Sequence, residues 1–204
     1  MSDKFKLLLK QIHFPQHEEA YNEIKSGSIE SVKLFKSKRQ WFFVFSFRNL
    51  LSYETFTLFD NLLHSSFDSL GAKVSYMINV EDISCDQSLL EAYFSYALDI
   101  LKSSHFSIYS LFSNLGIEIS NNSISVKAPA HILRENLHER FIALIADVLS
   151  NVGLSNVSIS VLEDKEASSS LEEAYETNKI SLQEEAESQA RQALQSIVQR
   201  SEER

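Results

Sequence analysis

The histidines of this sequence are the first residues to test for metal chemistry. His13 and His17 stand four residues apart, a spacing at which two imidazoles on a helix can share a metal ion. Pro15 lies between them and interrupts the regular turn that this spacing needs, so a surface loop is the better interpretation. His138 and Glu139 begin like the zinc-protease pattern His-Glu-x-x-His, but the second histidine is missing. The histidines therefore predict no metal site.

The other groups that could do chemistry are one cysteine, four glycines and several paired carboxylates. Cys85 lies between Ser84 and Asp86 with no neighbouring cation to lower the pKa of its thiol, which predicts an unreactive side chain. The glycines are isolated from one another, so no glycine-rich loop can bind phosphate. The paired carboxylates fall in polar segments typical of solvated faces: Glu18-Glu19, Glu172-Glu173 and Glu184-Glu185. We expect no catalytic residue, metal or cofactor.

One local cluster of cations stands apart from the rest of this acidic chain. It consists of Lys33, Lys36, Lys38 and Arg39. Such a cluster could contact phosphate or an acidic protein surface, although a solvated hairpin tip is the simpler interpretation. Stacking on nucleic-acid bases would need exposed rings beside these charges. The alternating aromatic residues from Trp41 to Phe47 are more economically explained as core.

The composition favours a small globular protein. The chain has 204 residues, of which 44% are hydrophobic, enough for one good core or two modest ones. Its formal net charge of −9 opposes long-range attraction to nucleic acid.

A lone cysteine excludes an intrachain disulfide, and no apolar run approaches the roughly 20 residues that span a bilayer. The N-terminus lacks the continuous apolar stretch of a secretion signal. We expect a soluble, cytoplasmic protein with no membrane partner.

Hydrophobic periodicity predicts a first α+β module over residues 1–81. Its elements are helices over 3–12 and 18–25, a hairpin with strands 29–36 and 40–48, a helix over 53–69 and a strand over 72–80. Ser52 is the predicted cap of the third helix. In the second hairpin strand Phe42 and Val44 make the outer face apolar too, which indicates a strand covered on both sides or one that meets another element. The hairpin Val32–Phe47 is therefore the candidate docking surface.

A polar linker over 82–87 is followed by a second predicted α+β module over 88–162. Its elements are helices over 88–102 and 105–115, a short hairpin with strands 117–119 and 124–126, a helix from about 137 to 149 and a strand over 157–161. Ser88 and Glu91 are predicted to form a capping box, as are Asn136 and Glu139. Asn121-Asn122 predicts a tight hairpin turn.

Both modules show the order α-α-β-β-α-β. The helix-to-strand portions can be laid over each other with Phe56 opposite Phe141, and with Val74–Ile78 near Val157–Val161. Internal duplication and coincidence both stay open, because ββαβ arrangements are common and the matching identities are few.

The last segment, residues 163–204, differs in composition from both modules. Acidic residues outnumber basic ones, aromatic residues nearly vanish, and Ala, Glu, Gln and Ser dominate. A thin apolar stripe runs through it, formed by Ala190, Leu194, Ile197 and Val198. This pattern predicts an acidic helical linker rather than part of a core.

Four features of the chain carry a family resemblance: Lys4-Phe5-Lys6-Leu7-Leu8, Arg39-Gln40-Trp41-Phe42-Phe43, the Phe56–Phe67 helix and the acidic tail. In these features the sequence resembles the N-terminal region of the PolC-type replicative DNA polymerases. The resemblance covers essentially the whole chain and includes no active-site motif. It implies a non-catalytic part of a DNA-directed DNA polymerase, whose polymerase and 3′-5′ exonuclease residues lie elsewhere in that protein.

The resemblance also implies a truncated KH-like fold and a docking role in the replisome, with the clamp-loader tau subunit as the suspected partner. KH domains grip RNA with a Gly-x-x-Gly loop, which is missing from this sequence. The leading hypothesis is therefore a protein-docking module with weak or no nucleic-acid binding of its own. The alternative is a single-stranded nucleic-acid guide that uses Lys33, Lys36, Lys38 and Arg39. A third hypothesis is an oligomerising protein built on the C-terminal helix.

Overall fold

The computed structural model describes residues 3–16, 19–120 and 122–164. His17, Glu18, Asn121 and the predicted helical linker beyond residue 164 lie outside the described residues. Within those residues the chain forms seven α-helices and two three-stranded sheets. The predicted α+β class is confirmed.

The first half of the chain forms three helices and the first sheet. Its elements are α1 (Asp3–Gln11), α2 (Glu19–Ile24), β1 (Ser28–Phe35), β2 (Gln40–Asn49), α3 (Tyr53–Ser69) and β3 (Lys73–Asp82). A single 3₁₀ turn, Lys36–Lys38, joins β1 to β2. The strand order is β1-β2-β3, with β1 antiparallel and β3 parallel to β2. The predicted hairpin is confirmed.

Alternation of side chains along β2 builds the core of this half. Phe43, Phe45 and Phe47 are buried on the face covered by α1 and α3, where Phe45 meets the α3 ring of Phe59 at a centroid distance of 5.2 Å. Such edge-to-face pairs add to the free energy gained by burying the rings. Phe42, on the outer face of β2, is half-buried.

The second half repeats this topology. Its elements are α4 (Gln87–Ser104), α5 (Phe106–Phe112), β4 (Gly116–Ser120), β5 (Ser123–Ala128), α6 (Ala130–Arg134), α7 (Leu137–Asn151) and β6 (Ser158–Glu163). The strand order is β4-β5-β6, again antiparallel and then parallel. Asn122 has a φ of 59°, the left-handed conformation that a tight hairpin turn requires.

Three local predictions for the second half are wrong. Asp86, and not Ser88, caps α4, because its carboxylate accepts a hydrogen bond from the Leu89 N–H at 2.8 Å. Asn136 occupies the cap position of α7 in a left-handed conformation, but its side chain makes no capping hydrogen bond. The short helix α6 follows Pro129, in a stretch between residues 126 and 137 where no helix was predicted.

The two halves share one core. The rings of Phe56 on α3 and Tyr93 on α4 meet at a centroid distance of 5.2 Å. The Tyr93 hydroxyl donates a hydrogen bond to the Leu51 carbonyl at 3.1 Å, across the boundary between the halves. The buried apolar side chains of both sheets form a single contiguous cluster. Burial of aromatic rings between the halves therefore fixes their relative arrangement.

Candidate functional site

The tip of the first hairpin gathers the cations that the sequence singled out. Lys33, Lys36, Lys38 and Arg39 are all exposed there. Arg39 ends the 3₁₀ turn in a left-handed conformation with a φ of 48°, and its carbonyl accepts a hydrogen bond from the Lys73 N–H at 2.8 Å. Because β3 begins beside β2 in parallel register, the exposed Lys73 becomes a fifth cation at this end of the sheet.

Exposed apolar side chains lie beside these cations. Val32, Leu34 and Phe35 on β1 are 44%, 45% and 46% exposed, and Leu70 after α3 is 70% exposed. Leu34 pairs with Trp41 in the strand register, and the Trp41 ring meets Phe67 on α3 at 5.9 Å. We call these four apolar residues and the five cations the hairpin-tip surface. Val32 and Leu34 lie on the core face of β1 and Phe35 on its outer face, so this surface wraps around the sheet edge. Exposed apolar side chains beside charged ones are typical of protein interfaces.

No acidic side chain of the described residues forms an ion pair with the cations of the hairpin-tip surface. The sequence from Ser31 to Phe47 contains no Asp or Glu. Among the described residues the ion pairs are His64–Asp60 and Lys127–Glu118, and neither involves the hairpin tip. With no ion pair to another described residue, these cations make the hairpin tip locally positive, although the chain as a whole carries a net charge of −9.

Sequence reasoning missed two members of the hairpin-tip surface, Lys73 and Leu70. Both lie more than thirty residues from the hairpin turn: Leu70 directly follows α3, and Lys73 is the first residue of β3. The available signal was the order strand, helix, strand from Gln40 to Asp82. Such a unit places its two strands in parallel, so that both begin at the same end of a sheet.

The hairpin aromatics are placed for packing rather than for stacking on bases. The prediction that the rings from Trp41 to Phe47 form core is confirmed for Phe43, Phe45 and Phe47, which are at most 5% exposed. The Trp41 ring is half-buried and stacks on Phe43 at 6.2 Å. Among the aromatic rings of the hairpin-tip surface, Phe35 is the one exposed to solvent. This arrangement favours a protein ligand over single-stranded nucleic acid.

The other side chains considered for catalysis or metal binding are Cys85 and the histidines. Burial and the Asp86 carboxylate raise the pKa of the Cys85 thiol, which reduces its thiolate fraction as the sequence predicted. Within residues 3–16, 19–120 and 122–164, no three His, Cys, Asp or Glu side chains are grouped to hold a metal ion. His138 Nδ1 is buried and has no hydrogen-bond partner. In the same part of the chain, no helix has the length and hydrophobicity needed to cross a membrane.

A polar network joins α3 to β3. The Tyr76 hydroxyl donates a hydrogen bond to Asp60 at 2.5 Å, and His64 lies 3.0 Å from the same carboxylate. Burial, the neighbouring Tyr96 and the Asp60 charge raise the pKa of Tyr76, so this phenol stays protonated. These groups satisfy one another and hold α3 on the sheet.

An open cleft of about 740 Å³ lies between α2 and the start of α3. Its central acid, Glu23, accepts hydrogen bonds from the Ser52 N–H at 2.9 Å and from the Ser52 hydroxyl at 3.0 Å. Because Ser52 is also the predicted and observed cap of α3, this carboxylate helps to fix the start of the helix. The Glu23 carboxylate in this cleft therefore has a structural role, whereas the cations of the hairpin tip form no ion pair with any described residue.

Comparison with protein families decides where this chain belongs. Two family models match it: DNA polymerase III polC-type N-terminus I over residues 4–78, and DNA polymerase III polC-type N-terminus II over residues 92–204. The chain belongs to the PolC-type DNA polymerase III family. The matched models describe the N-terminal region of PolC, and the 204 residues hold none of its catalytic domains.

Curated PolC proteins from streptococci align with nearly all of the chain. The PolC-type DNA polymerase III of Streptococcus agalactiae serotype III is 28% identical over 195 residues, which is 96% of this chain and 13% of that protein. The Streptococcus suis protein is 25% identical over 98% of this chain, and the Streptococcus mutans protein is 23% identical over 88%. The chain thus spans about 12–14% of the length of these relatives. No solved structure matches it.

Proposed function

We propose that this N-terminal PolC region is a non-catalytic docking module that binds a replisome protein through the hairpin-tip surface. The observation that carries the proposal is a set of five cations and four exposed apolar side chains on the hairpin and on the adjoining ends of α3 and β3, beside a buried aromatic core; within the described residues none of these cations forms an ion pair. A rigid surface with apolar and charged parts suits protein recognition, because little conformational entropy is lost on binding.

The family supplies the biological setting of the proposal. PolC is a DNA polymerase, so the proposed process is chromosomal DNA replication in the cytoplasm, with catalysis by parts of the polymerase beyond these 204 residues. The clamp-loader tau subunit is the proposed partner, as the family resemblance implied. Docking of this kind needs no cofactor in the N-terminal region.

Binding to single-stranded nucleic acid is the second candidate, and the fifth cation, Lys73, is the observation in its favour. It predicts an affinity that falls steeply with added salt, because each neutralised phosphate releases counterions. Docking to a protein through a partly apolar surface predicts a shallower salt dependence. Titrations at two ionic strengths therefore separate the two functions.

The test is binding of the 204-residue chain to purified tau subunit, polymerase core and sliding clamp. We expect micromolar or tighter binding to tau, and loss of about tenfold or more in affinity when Lys36 and Lys38 are both replaced by Glu. The matched control replaces two exposed cations of the second half, Lys102→Glu with Arg140→Glu, and makes the same change in net charge. No binding to any of the three proteins at micromolar concentration contradicts the proposal.

A further inference from the structure

The first sheet has two edge strands, β1 and β3, because the strand order β1-β2-β3 leaves each of them paired on one side only. β1 is the more exposed of the two. Residues 30–36 are all exposed, so the described structure covers neither this edge nor its side chains. The register of β1 with β2 shifts between Ile29 and Ser31, and from Ser31 to Phe35 it is regular. An open, regular edge strand offers unpaired backbone N–H and C=O groups to another extended chain.

The corresponding edge strand of the second sheet, β4, is built differently. It has five residues, against eight in β1. Its Glu118 forms an ion pair with Lys127 on β5, and Ser120 hydrogen-bonds Ser123 across the turn at 2.8 Å. Very short edge strands present few unpaired backbone groups to other chains. β1 is longer although the two sheets share one topology, and its regular part, Ser31–Phe35, carries one charge, Lys33, which an acidic segment would compensate.

The two faces of β1 differ in chemistry. Val32 and Leu34 pair with Phe43 and Trp41, so they lie on the face that carries the core. Lys33 pairs with Phe42 and lies on the outer face. Since residues of a strand alternate between the faces, an added strand would meet Val32 and Leu34 on one face, and Lys33 together with the exposed ring of Phe35 on the other.

We infer that β1 accepts an extended segment of a partner protein as a fourth strand of the first sheet, and that this segment alternates apolar with acidic residues. This inference rests on the proposed docking function and names the chemistry of the partner. Backbone hydrogen bonds to β1 supply affinity, and the alternating side chains supply specificity. The acidic residues lie opposite the lysines of the hairpin, and the apolar residues lie beside Val32 and Leu34.

Charge argues for a foreign segment rather than a second copy of this chain. Two copies would each carry a net charge of −9 and repel each other at long range. A second β1 would also bring its own lysine cluster to an edge that already carries one. A partner rich in carboxylates removes both penalties.

The experiment uses the 204-residue chain and a synthetic peptide of alternating valine and glutamate, followed by NMR. We expect the peptide to shift the amide signals of residues 30–36 and to slow hydrogen exchange of alternate amides in β1. A peptide of the same composition with its valines and glutamates in separate blocks is expected to bind about tenfold more weakly. N-methylation of every second peptide nitrogen should abolish binding for one set of positions and spare it for the other.

Variants of β1 test the apolar part of the site. Val32→Thr with Leu34→Thr places β-branched threonine, which strands favour, at both positions and removes apolar contacts, so we expect affinity for the peptide to fall about tenfold. The control is Leu162→Thr, because Leu162 is 52% exposed on the edge strand β6 of the second sheet. It should leave affinity unchanged. Equal binding by all variants overturns the inference.

The outcomes separate this inference from the proposed function. If tau binds and the Lys36→Glu, Lys38→Glu variant loses it while no β1 amide gains protection, docking stands and strand addition is wrong. If the alternating peptide pairs with β1 but no replisome protein binds, strand addition stands and the proposed partner is wrong. Protection of β1 in a dimer without peptide means that a second copy occupies the edge, which overturns the inference.

Discussion

Gly153, in the second half of the chain, packs closely against strand β3 of the first sheet. It has a φ of +98°, and a Cβ atom built on it would lie 2.5 Å from Val80 Cγ2 on β3. Gly71 also has a positive φ, +65°, but open space surrounds it. A substitution at Gly71 therefore tests backbone strain alone, whereas a substitution at Gly153 tests backbone strain together with steric overlap.

We expect Gly71→Ala to lower the free energy of unfolding by about 1–2 kcal/mol, from left-handed strain alone. Gly153→Ala should cost about 2–5 kcal/mol, because overpacking against Val80 is added to that strain. Urea unfolding followed by Trp41 fluorescence measures both variants. Equal losses would contradict the close packing of Gly153 on β3.

His64 should make stability depend weakly on pH. Its hydrogen bond to Asp60 is the main cause that raises its pKa above the ordinary value of 6.5. The stabilisation is therefore full below pH 6.5 and is lost as pH rises through the raised pKa. Because the side chain is 45% exposed, solvent screening limits the effect to about 1 kcal/mol or less. The pH dependence of unfolding, compared between the wild-type chain and His64→Asn, isolates this contribution. A stability difference that does not change with pH would exclude the charged His64–Asp60 pair.

At the scale of single elements, the cap of α4 distinguishes the sequence prediction from the structure. Asp86→Ala removes the carboxylate that accepts the Leu89 N–H, and we expect a loss of about 1 kcal/mol in the free energy of unfolding. Ser88→Ala, at the cap predicted from the sequence, lies inside the helix and should change stability by less than about 0.5 kcal/mol. Thermal unfolding of both variants measures the difference. A larger loss of stability for Ser88→Ala than for Asp86→Ala would support the capping box predicted from the sequence.

The elements that sequence predicted best are those whose pattern is long and regular. Helix α3 runs from Tyr53 to Ser69 as predicted, because its apolar stripe spans several turns and Ser52 provides an unambiguous cap. The short α6 escaped prediction, since five residues carry too little periodicity to identify a helix. Capping choices between Asp86 and Ser88 depend on backbone conformation at the loop, which residue types do not specify.

The candidate site was predictable only in its contiguous part. Lys33, Lys36, Lys38 and Arg39 are neighbours in sequence, so their clustering needed no knowledge of the fold. Lys73 joins them through parallel pairing of β2 with β3, a long-range contact that a single sequence does not fix. The exposure of β1 was also hidden, because its apolar residues resemble those of a buried strand until the sheet order is known.

At the scale of the whole molecule, two sheets of equal topology differ in the chemistry of their surfaces. The outer face of the second sheet carries serines such as Ser125 and Ser160, which hydrogen-bond each other at 3.3 Å. The first sheet has the exposed apolar edge and the unpaired cations. Because the shared core ties the sheets together, the second half acts as a platform that holds the hairpin-tip surface in place.

This shared core predicts that the two halves unfold together. Trp41 is the only tryptophan and reports on the first sheet, while amide exchange in β5 reports on the second. We expect the two probes to give one coincident urea transition, as for a cooperative domain.

Phe56→Ala removes the ring that contacts Tyr93 and Tyr96 and should lower the free energy of unfolding by about 3–5 kcal/mol. Because Phe56 bridges the halves, this loss should shift both probes equally. A shift confined to Trp41 would show that the second half folds without the first, and the platform argument would then be wrong.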